Sequence, residues 1–384
     1  MRIGIFTNAY KPEISGVVKS ITTFRDELVR QGHAVYIFAP EAANYEDTEY
    51  GVFRYPAVKV SAAVNFPLAI PISPFIDWVV PRLKLDVLHS QHPILIGEEA
   101  INFAKALNLP HVFTHHTQYE EYSHYIPFNQ NIVKTLTREM VRLYLVRCVK
   151  IIAPTKSIQL QLGRQYPEVK DRLNILPSPI DPARFQPQAL NPQPIREQYR
   201  LAETFTFVSV ARLTPEKNFS ALLKAFALAA AGHPQARLLI VGDGNSKKEL
   251  VKLAGTLEIA EKVIFVGAID YDQVPHYLAA SDAFAFASTS ETQGLVMVEG
   301  MAAGLPVVAV DAPGNRDVTR NGKNGLLVQN SVSALADGMR RLLENSELRQ
   351  TLSRGALNTA AGYSAAPLTT RLLRLYEEAI ELYA

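Results

Sequence analysis

The sequence predicts an α/β protein built as two doubly wound domains facing each other across a cleft, and three observations predict it. At 384 residues the chain is too long for one ordinary core and suits two domains of about 150 to 200 residues each. Short β-branched runs alternate with amphipathic helical stretches almost from end to end, which is the pattern of parallel sheets covered by helices. Between 176 and 194 the run LPSPIDPARFQPQALNPQP is so rich in proline that neither a helix nor a central strand can continue through it. That run marks the boundary, giving domains over 1–180 and 181–364, with a last segment over 365–384.

In order along the first domain, strands are expected over 2–7, 34–39, 52–55, 86–90, 111–114 and 149–153. The first helix runs over about 17–31 and stops at Gly32, a residue suited to a left-handed cap. The second domain repeats the alternation, with strands over 206–210, 238–241, 263–266, 283–287 and 306–310. The terminal stretch 368–383 (LTTRLLRLYEEAIELY) carries apolar residues at helical spacing and is expected to pack back on the first domain. Ligands of such folds sit at the carboxyl ends of the strands, so the residues that follow strands are the ones to search.

Composition removes several function classes. Basic and acidic residues nearly balance, 39 against 37, so no global field would draw the chain onto nucleic acid. The single cysteine, Cys148, excludes an internal disulfide and any cysteine-based metal cluster, and fits a reducing cytoplasm. The opening MRIGIFTNAY enters a strand pattern without a secretory signal. The most apolar loop, 64–80, is broken by three prolines and Asp77 and cannot span a bilayer, so any membrane contact is expected to be peripheral.

The strongest chemical signal is SETQGLVMVEGMAAGLPVVAV over 290–310, which reads as loop, helix and strand. Gly294 lets backbone approach a ligand, and the helix opening there offers unpaired amides and its positive dipole end to a sugar or phosphate. Glu291 precedes that helix and can accept from sugar hydroxyls; Glu299, about one and a half turns in, can reach a ribose diol. Taken alone, the pair reads rather as a helix cap at Glu291 and a solvated helix residue at Glu299, and its neighbours shift the balance. Arg212 and Lys217, in VSVARLTPEKNF, follow the first strand of the second domain, where phosphates are usually held. Two cations there can neutralise a pyrophosphate leaving group; two solvated loop charges would look the same.

In the first domain Gly16, in PEISGVV over 12–18, sits where the first helix opens, either as a phosphate-facing turn or as a plain one. His116, in FTHHTQYEEY, lies just past the strand ending at Thr114 and can bond a sugar or acceptor hydroxyl, or only complete its loop. Two further motifs are set aside. VGDGN over 241–245 has Lys247 where a dinucleotide loop has its third glycine, and reads as a turn. Asp270 and Asp272 are spaced like metal ligands but stand before a helix, where capping is expected.

Over nearly its whole length the chain resembles family 4 of the retaining glycosyltransferases, which have the GT-B fold. The resemblance rests on Glu291 to Glu299 with the following GMAAGLPVVA, on Arg212 with Lys217, and on GKNGLLV over 322–328. HTQYEEYSHYI over 116–126 and ETQGL over 291–295 are similar to one branch, the bacterial diacylglycerol glucosyltransferases. Two departures stand out: Thr292 and Gln293 replace the Gly-Phe before Gly294, and Asp317 in GNRDV stands where relatives often carry glutamate. The resemblance implies that Glu291 binds donor-sugar hydroxyls, Glu299 binds ribose, and Arg212 and Lys217 hold the diphosphate.

The expected donor contacts are then Gly16, Val17, Arg212, Lys217, Gly267, Glu291, Thr292, Gln293, Gly294, Leu295 and Glu299, with His116, Tyr119 and Tyr122 on the acceptor side. Arg212, Lys217, His116 and Glu291 are the expected catalytic set. The implied reaction is retaining transfer of a hexose, glucose above others, from a nucleoside diphosphate sugar, with a UDP-sugar favoured. No cofactor and no structural metal are expected. The implied acceptor is a hydroxyl of a membrane lipid such as diacylglycerol; a soluble or polysaccharide acceptor is the alternative, and a non-catalytic nucleotide-sugar-binding protein the alternative of another class. A cytoplasmic protein touching an anionic inner membrane face is expected, because Lys134, Arg138 and Arg142 fall at steps of four among Val133, Leu136, Val141 and Leu145. An amphipathic helix packed on its own domain would show the same spacing.

Overall fold

Strands whose side chains are buried on both faces build two parallel sheets in the computed structural model, which describes residues 1–58, 68–120 and 129–383. The chain divides into an N-terminal unit, Met1–Pro179 with the C-terminal helix Ala365–Tyr383, and a C-terminal unit, Ile180–Ser364. The first carries β1 (Arg2–Phe6), β2 (Ala34–Pro40), β3 (Val52–Tyr55), β4 (Ala57–Val58), β5 (Leu68–Ala69), β6 (Val87–Ser90), β7 (His111–Thr114), β8 (Lys150–Ala153) and β9 (Leu173–Ile175). Seven of these form one parallel sheet in the order β3-β2-β1-β6-β7-β8-β9, while β4 and β5 pair antiparallel. The second unit carries β10 (Phe205–Val210), β11 (Ala236–Val241), β12 (Val263–Gly267), β13 (Ala283–Phe286), β14 (Val307–Val310) and β15 (Gly325–Val328), in the parallel order β12-β11-β10-β13-β14-β15.

Period-two alternation sorts each strand between two cores. Phe207, Leu238, Ile240 and Val308 pack with the helices Phe219–Ala229 and Val332–Glu344. Val208, Leu239, Val241, Phe284 and Val307 point the other way, against the helix Leu295–Ala302. The chain moves from β10 to β11 on one side and from β12 across to β13 on the other, so the order reverses beside β10 and opens a crevice at the carboxyl ends of β10 and β13. The same reversal occurs between β1 and β6 in the N-terminal unit.

The C-terminal helix belongs to the N-terminal unit by its contacts. Leu368, Leu372, Tyr376 and Ala379 enter the core beside Ile3, Ile5 and Val87. Tyr376 Oη and His89 Nδ1 are 2.7 Å apart, and Arg371 donates to the Ile175 carbonyl at 2.7 Å.

Several elements depart from the sequence expectation. The apolar stretch read as a loop contains a helix, Pro74–Val79: Pro74 is tolerated in a first turn, the Ser73 hydroxyl accepts from the Ile76 amide, and Ile76 and Val79 are buried. Residues 64–67 of that stretch lie outside the described residues. Strands β4, β5, β9 and β15 were not expected, because two to four residues close to a proline or opened by glycine carry too little periodic signal. Among the described residues no helix is long and apolar enough to cross a membrane.

Candidate active site

The site begins with close backbone packing around the loop after β10. A Cβ on Gly242 would lie 2.0 Å from the Ala211 carbonyl oxygen and one on Gly244 2.4 Å from that of Leu213, so both positions require glycine. The Leu213 amide donates to the Asp243 carbonyl at 2.9 Å and the Ser246 amide to the Leu213 carbonyl at 3.0 Å. The VGDGN motif is therefore a turn whose glycines let its backbone clamp the loop carrying Arg212. A single helical turn, Pro215–Lys217, closes that loop and ends at Asn218, whose φ is +55°.

Across the crevice, the segment after β13 brings Glu291 to Lys217. Lys217 Nζ donates to Glu291 Oε1 at 2.5 Å, and Ser288 Oγ donates to the same oxygen at 2.7 Å. The pair is nearly sequestered, with side chains 14% and 15% exposed, and so is only weakly screened by solvent. Burial pushes the Glu291 carboxyl up, but the charge and hydrogen bond of Lys217, the Ser288 hydroxyl and the charge of Arg212 outweigh it, leaving the group below the usual carboxylate range. Glu291 is therefore neither a helix cap nor a solvated carboxylate. Gly314 backs it, since a Cβ there would sit 2.7 Å from the Glu291 carbonyl oxygen, and Asn315 Nδ2 ties the next helix to the Ser288 carbonyl at 2.8 Å.

Gly294 caps the helix Leu295–Ala302 with φ +75°, and a Cβ there would lie 2.5 Å from the end of Met297. Gln293 is buried, Thr292 half-buried, and Leu295 half-buried at the first helical position. Glu299 lies on the same helix and is 1% exposed, which replaces the solvated alternative; the Tyr271 hydroxyl donates to its Oε1 at 2.9 Å. Gly267 ends β12 with φ +92° and accepts the Gly242 amide at 2.9 Å. Lys217 and Glu291 thus meet directly, Arg212 is felt by the Glu291 carboxylate only through its charge, and Glu299 is tied to Tyr271.

The remaining candidates stand at the carboxyl ends of strands in the N-terminal unit. The helix Gly16–Arg30 opens at Gly16 and Val17, with the Ser15 hydroxyl accepting from the Val18 amide at 3.3 Å. His116 Nε2 lies 2.6 Å from Gln91 Oε1, and burial first, then His92, His89 and His115, hold it well below the ordinary histidine range, so it is neutral near pH 7. Tyr119 meets His115 edge to face with ring centroids 5.6 Å apart. Tyr122 lies outside the described residues.

Sequence reasoning passed over Ser288, Tyr271, Asn315, Gln91 and His92. Ser288, three residues before Glu291, was the one with a readable signal, a small hydroxyl beside a carboxylate motif.

One expectation is corrected. Asp270 makes no side-chain cap bond, because its own carbonyl accepts the Gln273 amide at 2.9 Å and closes the turn; Asp272 instead pairs with Arg184 at 2.6 Å. Among the described residues no group of three His, Cys, Asp or Glu could hold a metal ion. On the helix Gln130–Leu145 two of the three cations expected to face lipid have carboxylate partners, and Lys134 is exposed. Arg138 meets Glu120 at 2.6 Å, Arg142 meets Glu139 at 2.6 Å, and Val133, Val141 and Leu145 are buried in their own unit. Its exposed face carries an apolar row, Ile132, Leu136, Met140 and Leu143, beside the exposed Lys134, Thr135, Arg138 and Glu139.

Comparison with known proteins identifies the family. Residues 193–359 match the model for glycosyl transferases group 1, and residues 14–184 match that for glycosyltransferase family 4. Alpha-monoglucosyldiacylglycerol synthase of Streptococcus pneumoniae is 34% identical over 82% of this chain and 72% of its own length. The synthase of the same name from Acholeplasma laidlawii is 30% identical over 99% and 98%. Among solved structures, Anabaena HepE in complex with UDP superposes with a TM-score of 0.77 at 19% identity, covering 98% of this chain and all of that one, a likeness of fold. The chain belongs to the family 4 glycosyltransferases and is a hexosyltransferase of the GT-B fold.

Proposed function

We propose that this hexosyltransferase moves glucose from UDP-glucose to a hydroxyl of a membrane lipid such as diacylglycerol, with retention at the anomeric carbon. The observation that carries the reading is the Lys217–Glu291 pair with Arg212 beside it, next to the helix that opens at Gly294. Arg212 and Lys217 would take the diphosphate, Glu291 the hexose hydroxyls, Glu299 the ribose, and the helix amides a sugar or phosphate oxygen. UDP in HepE supports the choice of nucleotide. The two synthases support a glucolipid product by their names. The exposed apolar row of the helix Gln130–Leu145 fits contact with a lipid surface better than its paired charges do. His116, kept neutral, suits an acceptor hydroxyl.

In the step itself the bond from the anomeric carbon to the leaving phosphate oxygen breaks as the acceptor oxygen bonds that carbon on the same face. The acceptor proton passes to the departing phosphate. Glu291 is engaged by Lys217 and Ser288, which makes it a poor covalent nucleophile and favours this front-face course. Stabilisation of the developing phosphate charge by two cations then carries much of the rate.

The test is to incubate the protein with a panel of nucleotide sugars, with and without diacylglycerol vesicles, and follow released nucleoside diphosphate together with lipid-linked sugar. Glucolipid formed from UDP-glucose only with vesicles present is the expected result. Turnover with a soluble acceptor alone moves the acceptor assignment, and nucleotide binding without turnover overturns the proposed reaction.

A further inference from the structure

We infer that Tyr271 is a positioning residue for the donor: its hydroxyl fixes the Glu299 carboxylate for recognition of a nucleotide with an intact ribose 2′,3′-diol, an inference that rests on the nucleotide-sugar reading above. Tyr271 stands on the short turn after β12 and donates to Glu299 Oε1 at 2.9 Å across 28 positions of sequence. Glu299 is 1% exposed, and a buried carboxylate is costly unless it is hydrogen-bonded. Burial, and then the Glu299 charge, push the phenol well above its ordinary range, so its proton stays on and it acts toward Glu299 as a donor.

The ring is itself held in place. Arg184 Cζ lies 5.1 Å from the centroid of the Tyr271 ring, Arg184 is tied to Asp272 at 2.6 Å, and the Phe185 ring stands at 6.5 Å. A carboxylate has about four acceptor positions, and the bond from Tyr271 takes one of them. Adjacent ribose hydroxyls suit a carboxylate whose rotation is already fixed. A nucleotide lacking them gains nothing from that fixing.

The test compares UDP with 2′,3′-dideoxy-UDP by calorimetry on the full chain and its Tyr271→Phe and Glu299→Gln variants. Phenylalanine keeps the ring packing and deletes only the donor. Tyr271→Phe is expected to weaken UDP about tenfold, the size of one lost bond to a charged group, while dideoxy-UDP binds wild type and variant alike. In turnover the variant should raise the donor KM and leave kcat within about twofold. Equal weakening of both nucleotides, or none, while Glu299→Gln still weakens UDP, overturns the positioning role. Unchanged UDP affinity in Glu299→Gln overturns both this inference and the ribose role on which it rests.

Discussion

The two units share a parallel, doubly wound sheet, yet the carboxyl ends of β10 and β13 differ in charge from those of β6 and β7, the ion pairs of the N-terminal unit standing instead past β1 to β3, where Arg54 meets Asp47 and Lys11 meets Glu49. In the C-terminal unit a cation and a carboxylate pair there at 2.5 Å with a second cation beside them. In the N-terminal unit the corresponding region is lined by His89, His92, His115 and His116 with Gln91 and Thr114. Burial lowers His89 to about 3 and His92 and His115 to about 4, so these groups carry no charge near neutral pH, and His89 and His92 hydrogen-bond in that state. One architecture thus presents two chemistries, fixed charge in one unit and neutral hydrogen-bonding groups in the other, which the proposed reaction assigns to a diphosphate and to hydroxyls.

The most damaging break in this contrast is Lys217→Ala. Turnover should fall about 10²- to 10³-fold, because a cation meeting the leaving phosphate is lost, while circular dichroism still reports a folded chain. Near-normal activity would place the leaving group elsewhere. Gly242→Ala should come next: with φ +135° and no room before the Ala211 carbonyl, it should cost about 3 kcal/mol in chemical unfolding and displace Arg212. An unchanged denaturation midpoint would show that the turn does not clamp the loop.

How much of this was legible follows from the range of the signals. The long strands were readable because β-branched runs at period two are local, and so was Glu291 with Glu299, because one short loop-and-helix segment carries both positions. What escaped depends on partners distant in sequence. Arg138 looked like a lipid-facing charge until its partner Glu120, 18 residues earlier, came into view, and nothing near Tyr271 announces Glu299. The glycines at 242 and 244 resembled a dinucleotide loop, yet their reason is the backbone of another loop, a steric demand that a sequence window does not contain.

Smaller effects sharpen the contrast from the neutral side. His116→Ala should raise the acceptor KM about tenfold and leave UDP affinity unaltered, as expected of a hydrogen-bonding group away from the phosphates. A loss of UDP affinity instead would blur the division of labour. The lowered Glu291 pKa predicts a modest pH effect. The unfolded carboxylate titrates near about 4.3 and the folded one lower, so the stabilisation is present above that value and is lost as pH falls through the folded pKa. In Glu291→Gln the acid side of the stability profile should flatten; an identical slope would mean that the carboxylate gains nothing from its partners.

The most direct trial of the central claim is a crystal structure of the chain with UDP-glucose bound. Diphosphate oxygens about 2.7 to 2.9 Å from Arg212 and Lys217, with the hexose hydroxyls on Glu291, is the predicted result. A nucleotide sugar seated away from these three side chains would contradict it.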